Sequence, residues 1–129
     1  MLLSLSPVGY GDILFANVPD PAGGNHKNRR VIDITPDAEL AAGYPIVAVG
    51  VTGSLPNLTT DHVVLPYKNP PGTRHPVTGT VKKSAALCTW LVIVDPADIS
   101  GVSGFTPPAN MRLIQQKAGA AAKVLGGWP

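Results

Sequence analysis

Glycine and proline cut this chain into short pieces, and that punctuation limits its fold more than any other feature. Fourteen residues of each kind stand among 129, well above ordinary usage. Proline lacks the amide hydrogen that helix interiors and sheet ladders need, and glycine carries an entropic cost inside either element. Long helices are therefore excluded over most of the chain, and short strands joined by many turns are favoured. No glycine recurs at every third position, which excludes a collagen-like helix. The length and the 13.3 kDa mass suit a single domain over residues 1–129 with one hydrophobic core.

Hydrophobic alternation locates the pieces. Gly11 to Asn17 is an apolar segment bounded by glycine and proline and reads as a first strand, followed by a loop from Pro19 to Asn28. Arg29 to Thr35 alternates and stops at Pro36, which makes it a second strand. Tyr44 to Gly53 is the clearest strand: Val47, Val49 and Val51 share one face, and Ala48, Gly50 and Thr52 share the other. Asp61 to Tyr67 is a fourth, Lys68 to Gly79 is loop, and Ala85 to Val94 is a fifth strand long enough to be buried on both faces. Only the C-terminal end is helical. After Pro107-Pro108, the residues Met111, Ile114, Ala118, Ala121 and Leu125 recur at three and four positions, and Gly126-Gly127 supplies the stop. The expected architecture is five short, mostly antiparallel strands within about 11–94 and one helix over about 108–125. A small barrel or strongly bent sheet with the helix packed against it satisfies that count.

Ten Lys and Arg against eight Asp and Glu give a net charge of +2, but the charge is segregated. No acidic residue lies between Asp61 and Asp95, a span that holds Lys68, Arg74, Lys82 and Lys83. A second basic knot, Lys27-Asn28-Arg29-Arg30, lies between Asp20 and Asp33. This pattern suits a polyanion as partner. The single Cys88 excludes an internal disulfide and fits a reducing compartment. Met1 to Leu5 lacks a basic residue, and the longest apolar run, Ala85 to Val94, is half a membrane span. The expectation is a cytoplasmic protein with no membrane association.

Several chemistries are excluded. The histidines His26, His62 and His75 make no metal spacing with Cys88 or a carboxylate, so no metal and no cofactor is expected. Phosphate-loop, dinucleotide and nucleophile-elbow motifs are missing, and the lone Glu39 argues against paired-carboxylate chemistry. Cys88 sits in an apolar run, where a thiol is usually packing. What remains is the small face of the third strand and the arginine pair. Ala48 and Gly50 leave room for a ligand, for another strand or for a crowded bend. Arg29 and Arg30 point to opposite faces of their strand, so one of them needs a partner, either Asp33 or a bound anion. Composition and spacing lead to a small basic β domain with anion-binding capacity.

The order of these segments resembles the MazF/PemK family of toxin endoribonucleases over about Gly9 to Leu125. Gly11-Asp12-Ile13-Leu14 is similar to the family's opening strand. Asn28-Arg29-Arg30-Val31-Ile32-Asp33-Ile34-Thr35-Pro36 resembles its His-Arg-Pro strand, and Val49-Gly50-Val51-Thr52-Gly53-Ser54 its strand ending in a Thr or Ser pair. Asp61 to Leu65 and Gly79 to Ser84 are similar to the next strand and to the lead into the long one. The chain differs from the family at Arg30, at Gly53 and at Thr89-Trp90, where the family often has Pro, a second hydroxyl and Asp-Gln. The resemblance implies a Src homology 3-like small barrel, usually a homodimer, that cuts single-stranded RNA without a metal to leave a 2′,3′-cyclic phosphate and is neutralised by an antitoxin protein. The family's catalytic Arg and Thr fall on Arg29 and Thr52. RNA contacts are expected from His26, Lys27, Arg30, Arg74, His75, Lys82 and Lys83, with His26 the nearest titratable candidate for the base. The competing expectation is a non-catalytic barrel, such as a gyrase-inhibitor-like module, that binds nucleic acid or a protein.

Overall fold

The computed structural model describes residues 8–53, 57–68 and 73–129. Met1 to Leu5, Ser54 and part of the loop expected between Lys68 and Gly79 lie outside the described residues. Among the described residues six strands form one antiparallel sheet: β1 Asp12–Val18, β2 Lys27–Asp33, β3 Ile46–Thr52, β4 His62–Val64, β5 Ala85–Val94 and β6 Ile99–Phe105. Their order is β4-β5-β3-β2-β1-β6. The sheet is barrel-like but not closed, since β4 and β6 are its two edges. A one-turn helix α1, Asp37–Ala41, follows β2, and the long helix α2 covers Pro108–Gly126.

Each face of the sheet has its own apolar cluster. Ile13, Ile32, Val47, Val49 and Cys88 pack against Met111, Ile114, Ala118 and Ala122 of α2. Leu14, Val18, Val31, Ala48, Trp90 and Val92 pack together on the opposite face. The valine face of β3 is thus core, as its alternation requires.

Hydrophobic alternation predicts five of these strands. The sixth, β6, Ile-Ser-Gly-Val-Ser-Gly-Phe, carries two glycines, which are depleted in strands, and pairing with β1 supplies what propensity does not. Its Gly104 also admits the loop before β5: a β-carbon there would run into the carbonyl oxygen of Val77. The helical stripe is displaced near its end as well. Ala122 and Gly126 are buried, whereas Ala121 and Leu125 are exposed. Past the helix, Gly127 turns the chain with φ +79 and Trp128 folds back onto Gly126, leaving no room there for a side chain.

One irregularity shapes the functional end of the sheet. Val49 pairs with Leu91 and Val51 with Ala86, so β3 advances two residues while β5 advances five. The bulge reorients the side chains of β5. Cys88 belongs to the helix-side cluster and Trp90 to the opposite one. Burial pushes the Cys88 thiol up to about 11, consistent with a packing role.

Candidate active site

The small face of β3 is filled by an aromatic ring. Trp90 lies across Gly50 so closely that a β-carbon at that position would run into the indole. Of the three possibilities open from sequence, the occupant is therefore a side chain from the neighbouring strand. Its Nε1 donates to the carbonyl of Pro19 at 3.2 Å, and the residue is 5% exposed.

The indole in turn carries Arg29, whose guanidinium carbon lies 5.6 Å from the ring centroid. Arg29 Nε donates to the carbonyl of Val18 at 3.2 Å, and Nη2 to that of Asn25 at 2.7 Å. Asn25 holds a left-handed backbone, φ +49, one of the few such conformations asparagine tolerates well. Arg29 is thus locked by two carbonyls and a ring. It does not pair with Asp33, the internal partner considered from sequence. Asp33 is buried four residues further along β2, with Oδ1 accepting from Thr35 N at 2.9 Å and Oδ2 without a hydrogen bond. Burial pushes its carboxyl up to about 7; the Thr35 amide works against that shift, and Asp12 and Asp37 add to it.

Thr52 reaches the same place from β3. Val31 pairs with Gly50. Arg29 stands two residues before Val31 and Thr52 two after Gly50, so in an antiparallel ladder the two side chains share a face. They line an open cleft of about 330 Å³ with Pro21, Val51, Gly53, Lys82, Leu87 and Trp90. Its lining contains two cations and no carboxylate. Among the described residues, no group of three or more His, Cys, Asp and Glu side chains is placed to hold a metal ion.

Of the residues singled out from sequence, the fold brings Arg29, Thr52 and Lys82 together. His26, Lys27 and Lys83 are exposed and do not line the cleft. Arg30 points to the opposite face, where it stacks 4.7 Å from the Phe15 centroid. Its Nε donates to Ser103 Oγ at 3.1 Å and its Nη2 to the Gly79 carbonyl at 3.3 Å. Arg74 donates to that same carbonyl at 3.1 Å. His75 Nδ1 accepts from the amides of Val77 and Thr78, so it organises its own loop. Trp90 is the residue that sequence reasoning missed as part of the site. The available signal was Gly50, since a glycine inside a strand marks close approach, but not from what.

The sequence matches no family model and no curated protein. Solved structures do resemble the fold. An endoribonuclease in complex with its cognate antitoxin from Mycobacterial species aligns over 95% of this chain and 100% of its own, with TM-score 0.64 and 15% identity. MazF from Deinococcus radiodurans aligns over 92% and 97%, with TM-score 0.65 and 14% identity. Mycobacterium tuberculosis toxin MazF-mt6 aligns over 85% and 94%, with TM-score 0.62 and 15% identity. At such identities the shared property is architecture, and the chain has the fold of the MazF toxin endoribonucleases.

Proposed function

We propose that the protein is a toxin-type endoribonuclease that cuts single-stranded RNA without a metal, working as one domain. The observation that carries this reading is the meeting of Arg29 and Thr52 in one cleft, from two different strands, with Lys82 beside them. In the reaction the 2′-oxygen bonds to phosphorus and the P–O5′ bond breaks. The 2′-hydroxyl proton passes to a base and a proton is delivered to the departing 5′-oxygen. The products are a 2′,3′-cyclic phosphate and a 5′-hydroxyl.

The residues of the cleft supply charge and position for these steps. The arginine pKa, above about 12, makes Arg29 a poor base. With Nε and one Nη2 hydrogen held by carbonyls, its remaining donors face the phosphorane and the leaving oxygen. The Thr52 hydroxyl orients a non-bridging oxygen. His26 follows Asn25, whose carbonyl grips Arg29, and is the candidate base. Lys27 and Lys83 flank the cleft in sequence and suit neighbouring phosphates, while Arg30, Arg74 and His75 serve the loop on the other face. An acidic antitoxin segment, a homodimeric state and a cytoplasmic location belong to the same reading. The similar mycobacterial endoribonuclease was solved with its antitoxin. Since Trp90 fills the small face of β3, such a segment would lie in the cleft itself. No helix among the described residues is long and apolar enough to cross a membrane.

The test is cleavage of a mixed-sequence single-stranded RNA in EDTA, wild type beside Arg29→Ala. Fragments with cyclic-phosphate ends from the wild type alone support the reading. Intact RNA from folded, partner-free protein on several RNAs moves it to a binding module.

A further inference from the structure

Lys82 reaches the cleft along a path that glycine at position 53 leaves open. A β-carbon on Gly53 would lie 2.6 Å from Lys82 Cε and 2.9 Å from Nζ. The end of the lysine therefore rests against the bare Cα just where β3 stops. Gly53 does not adopt a left-handed conformation, so the backbone does not require glycine there; the seat for Lys82 does.

The charge delivered to that seat has no internal counterpart. All eight acidic residues of the chain lie among the described residues, and none forms an ion pair with Lys82. The other cation of the cleft, Arg29, is gripped by the Val18 and Asn25 carbonyls and held against Trp90, so it cannot move away from a second positive charge. Arg29 and Lys82 thus line one cleft that holds no carboxylate, an arrangement that suits an anion. A phosphodiester carries one negative charge, and its pentacoordinate transition state approaches two. A second cation is thus worth most at the transition state.

We propose that Lys82, seated across Gly53, is the second cation on the phosphodiester being cleaved and acts on the charge that grows on its non-bridging oxygens. This rests on the ribonuclease reading above. It goes beyond a general RNA contact by giving the lysine a position, a dependence on Gly53 and a role in kcat.

Gly53→Ala makes the test specific, because the nearest atoms its methyl would meet belong to the flexible end of Lys82, which it would push away. The substrate is a single-stranded RNA with one site mapped using the wild type, and its analogue with a 2′-deoxy nucleotide at that site. Lys82→Met is expected to lower kcat about 100-fold and to flatten the slope of log kcat/KM against log salt by about 0.7, the single-strand value for one phosphate contact. Gly53→Ala should reproduce both effects, and the double variant should be no worse than either single one. Binding of the uncleavable analogue should weaken far less than kcat/KM, and thermal midpoints should stay at the wild-type value. Cleavage by Lys82→Met within about threefold of wild type, or multiplicative losses in the double variant, overturns the proposal. Cleavage that needs Arg29 but not Lys82 overturns this inference alone. A wild type that cleaves no RNA overturns it together with the ribonuclease reading.

Discussion

Arg29 and Arg30 are neighbours on one strand, and the fold gives them opposite work. Arg29 lies on the face bearing Trp90, with donors left over in an open cleft that also holds Thr52 and Lys82. Arg30 lies on the other face, stacked on Phe15 and tied to Ser103 and Gly79. Burial and the nearby Arg74 push its pKa below the usual arginine value. Both guanidinia spend Nε and Nη2 on their own chain and lie against a ring; what prepares Arg29 for a ligand is that it lines an open cleft with Thr52 and Lys82, which Arg30 does not. The difference lies in what each face of β2 meets, and the residue type does not reveal it.

The strongest test of this contrast is a matched pair. Arg29→Ala should lower cleavage at least about 1,000-fold and cost about 1–2 kcal/mol of stability, since it too gives up two hydrogen bonds and a ring contact. Arg30→Ala should keep activity within about threefold and cost about 1–2 kcal/mol of stability, from lost hydrogen bonds and ring stacking. Arg29→Lys should not rescue, because an ammonium cannot hold two carbonyls and a ring in one plane. Equal activity losses in the two alanine variants would break the comparison.

A third ionisable residue of β2 sharpens it. Asp33 is raised to about 7 in the fold from a value near 3.8, so the folded state holds its proton more tightly than the unfolded state. The stability this gives is fully present below about pH 4 and is lost as pH rises through 7, by at most about 4 kcal/mol. Denaturant unfolding from pH 4 to 8 should show this decline, and Asp33→Asn should flatten it. A decline unchanged in that variant would assign it to another group. Cleavage at neutral pH should be close to wild type in Asp33→Asn, since the residue is remote from the cleft.

The smallest effects on cleavage come from the glycines beneath each arginine. Gly50→Ala would displace Trp90, the platform of Arg29, costing about 1–3 kcal/mol and reducing activity per folded molecule. Gly79→Ala, at φ +73 and against the Ser103 carbonyl, should cost a similar amount yet leave activity per folded molecule unchanged. Calorimetry combined with initial rates separates the two outcomes.

Much of the scaffold was legible because local rules decided it. Ala85 to Val94 was read with the bounds it has in the fold, since turn residues and an apolar run mark both ends. The valine face of β3 and the helix after Pro107 followed from periods of two and of about 3.6. β6 was not legible, because its apolar residues Ile99, Val102 and Phe105 recur every third position instead of alternating, and its pairing with β1 is what makes it a strand. The cleft was legible in part: Arg29, Thr52 and Lys82 could be named, but Trp90 entered only as a departure from the family pattern.

The sequence by itself determined where β1 to β5 lie, that the C-terminal end is a helix, and that basic residues gather in two stretches. These depend on neighbours a few positions apart, where alternation, proline and glycine act directly. Tertiary structure alone decided which arginine faces a cleft, what fills the space over Gly50, and that Lys82 comes to rest on Gly53. Each of these depends on the bulge that turns Trp90 over and on register between strands far apart in sequence. A one-residue slip in that register would exchange the two faces of β2, and with them the roles of Arg29 and Arg30.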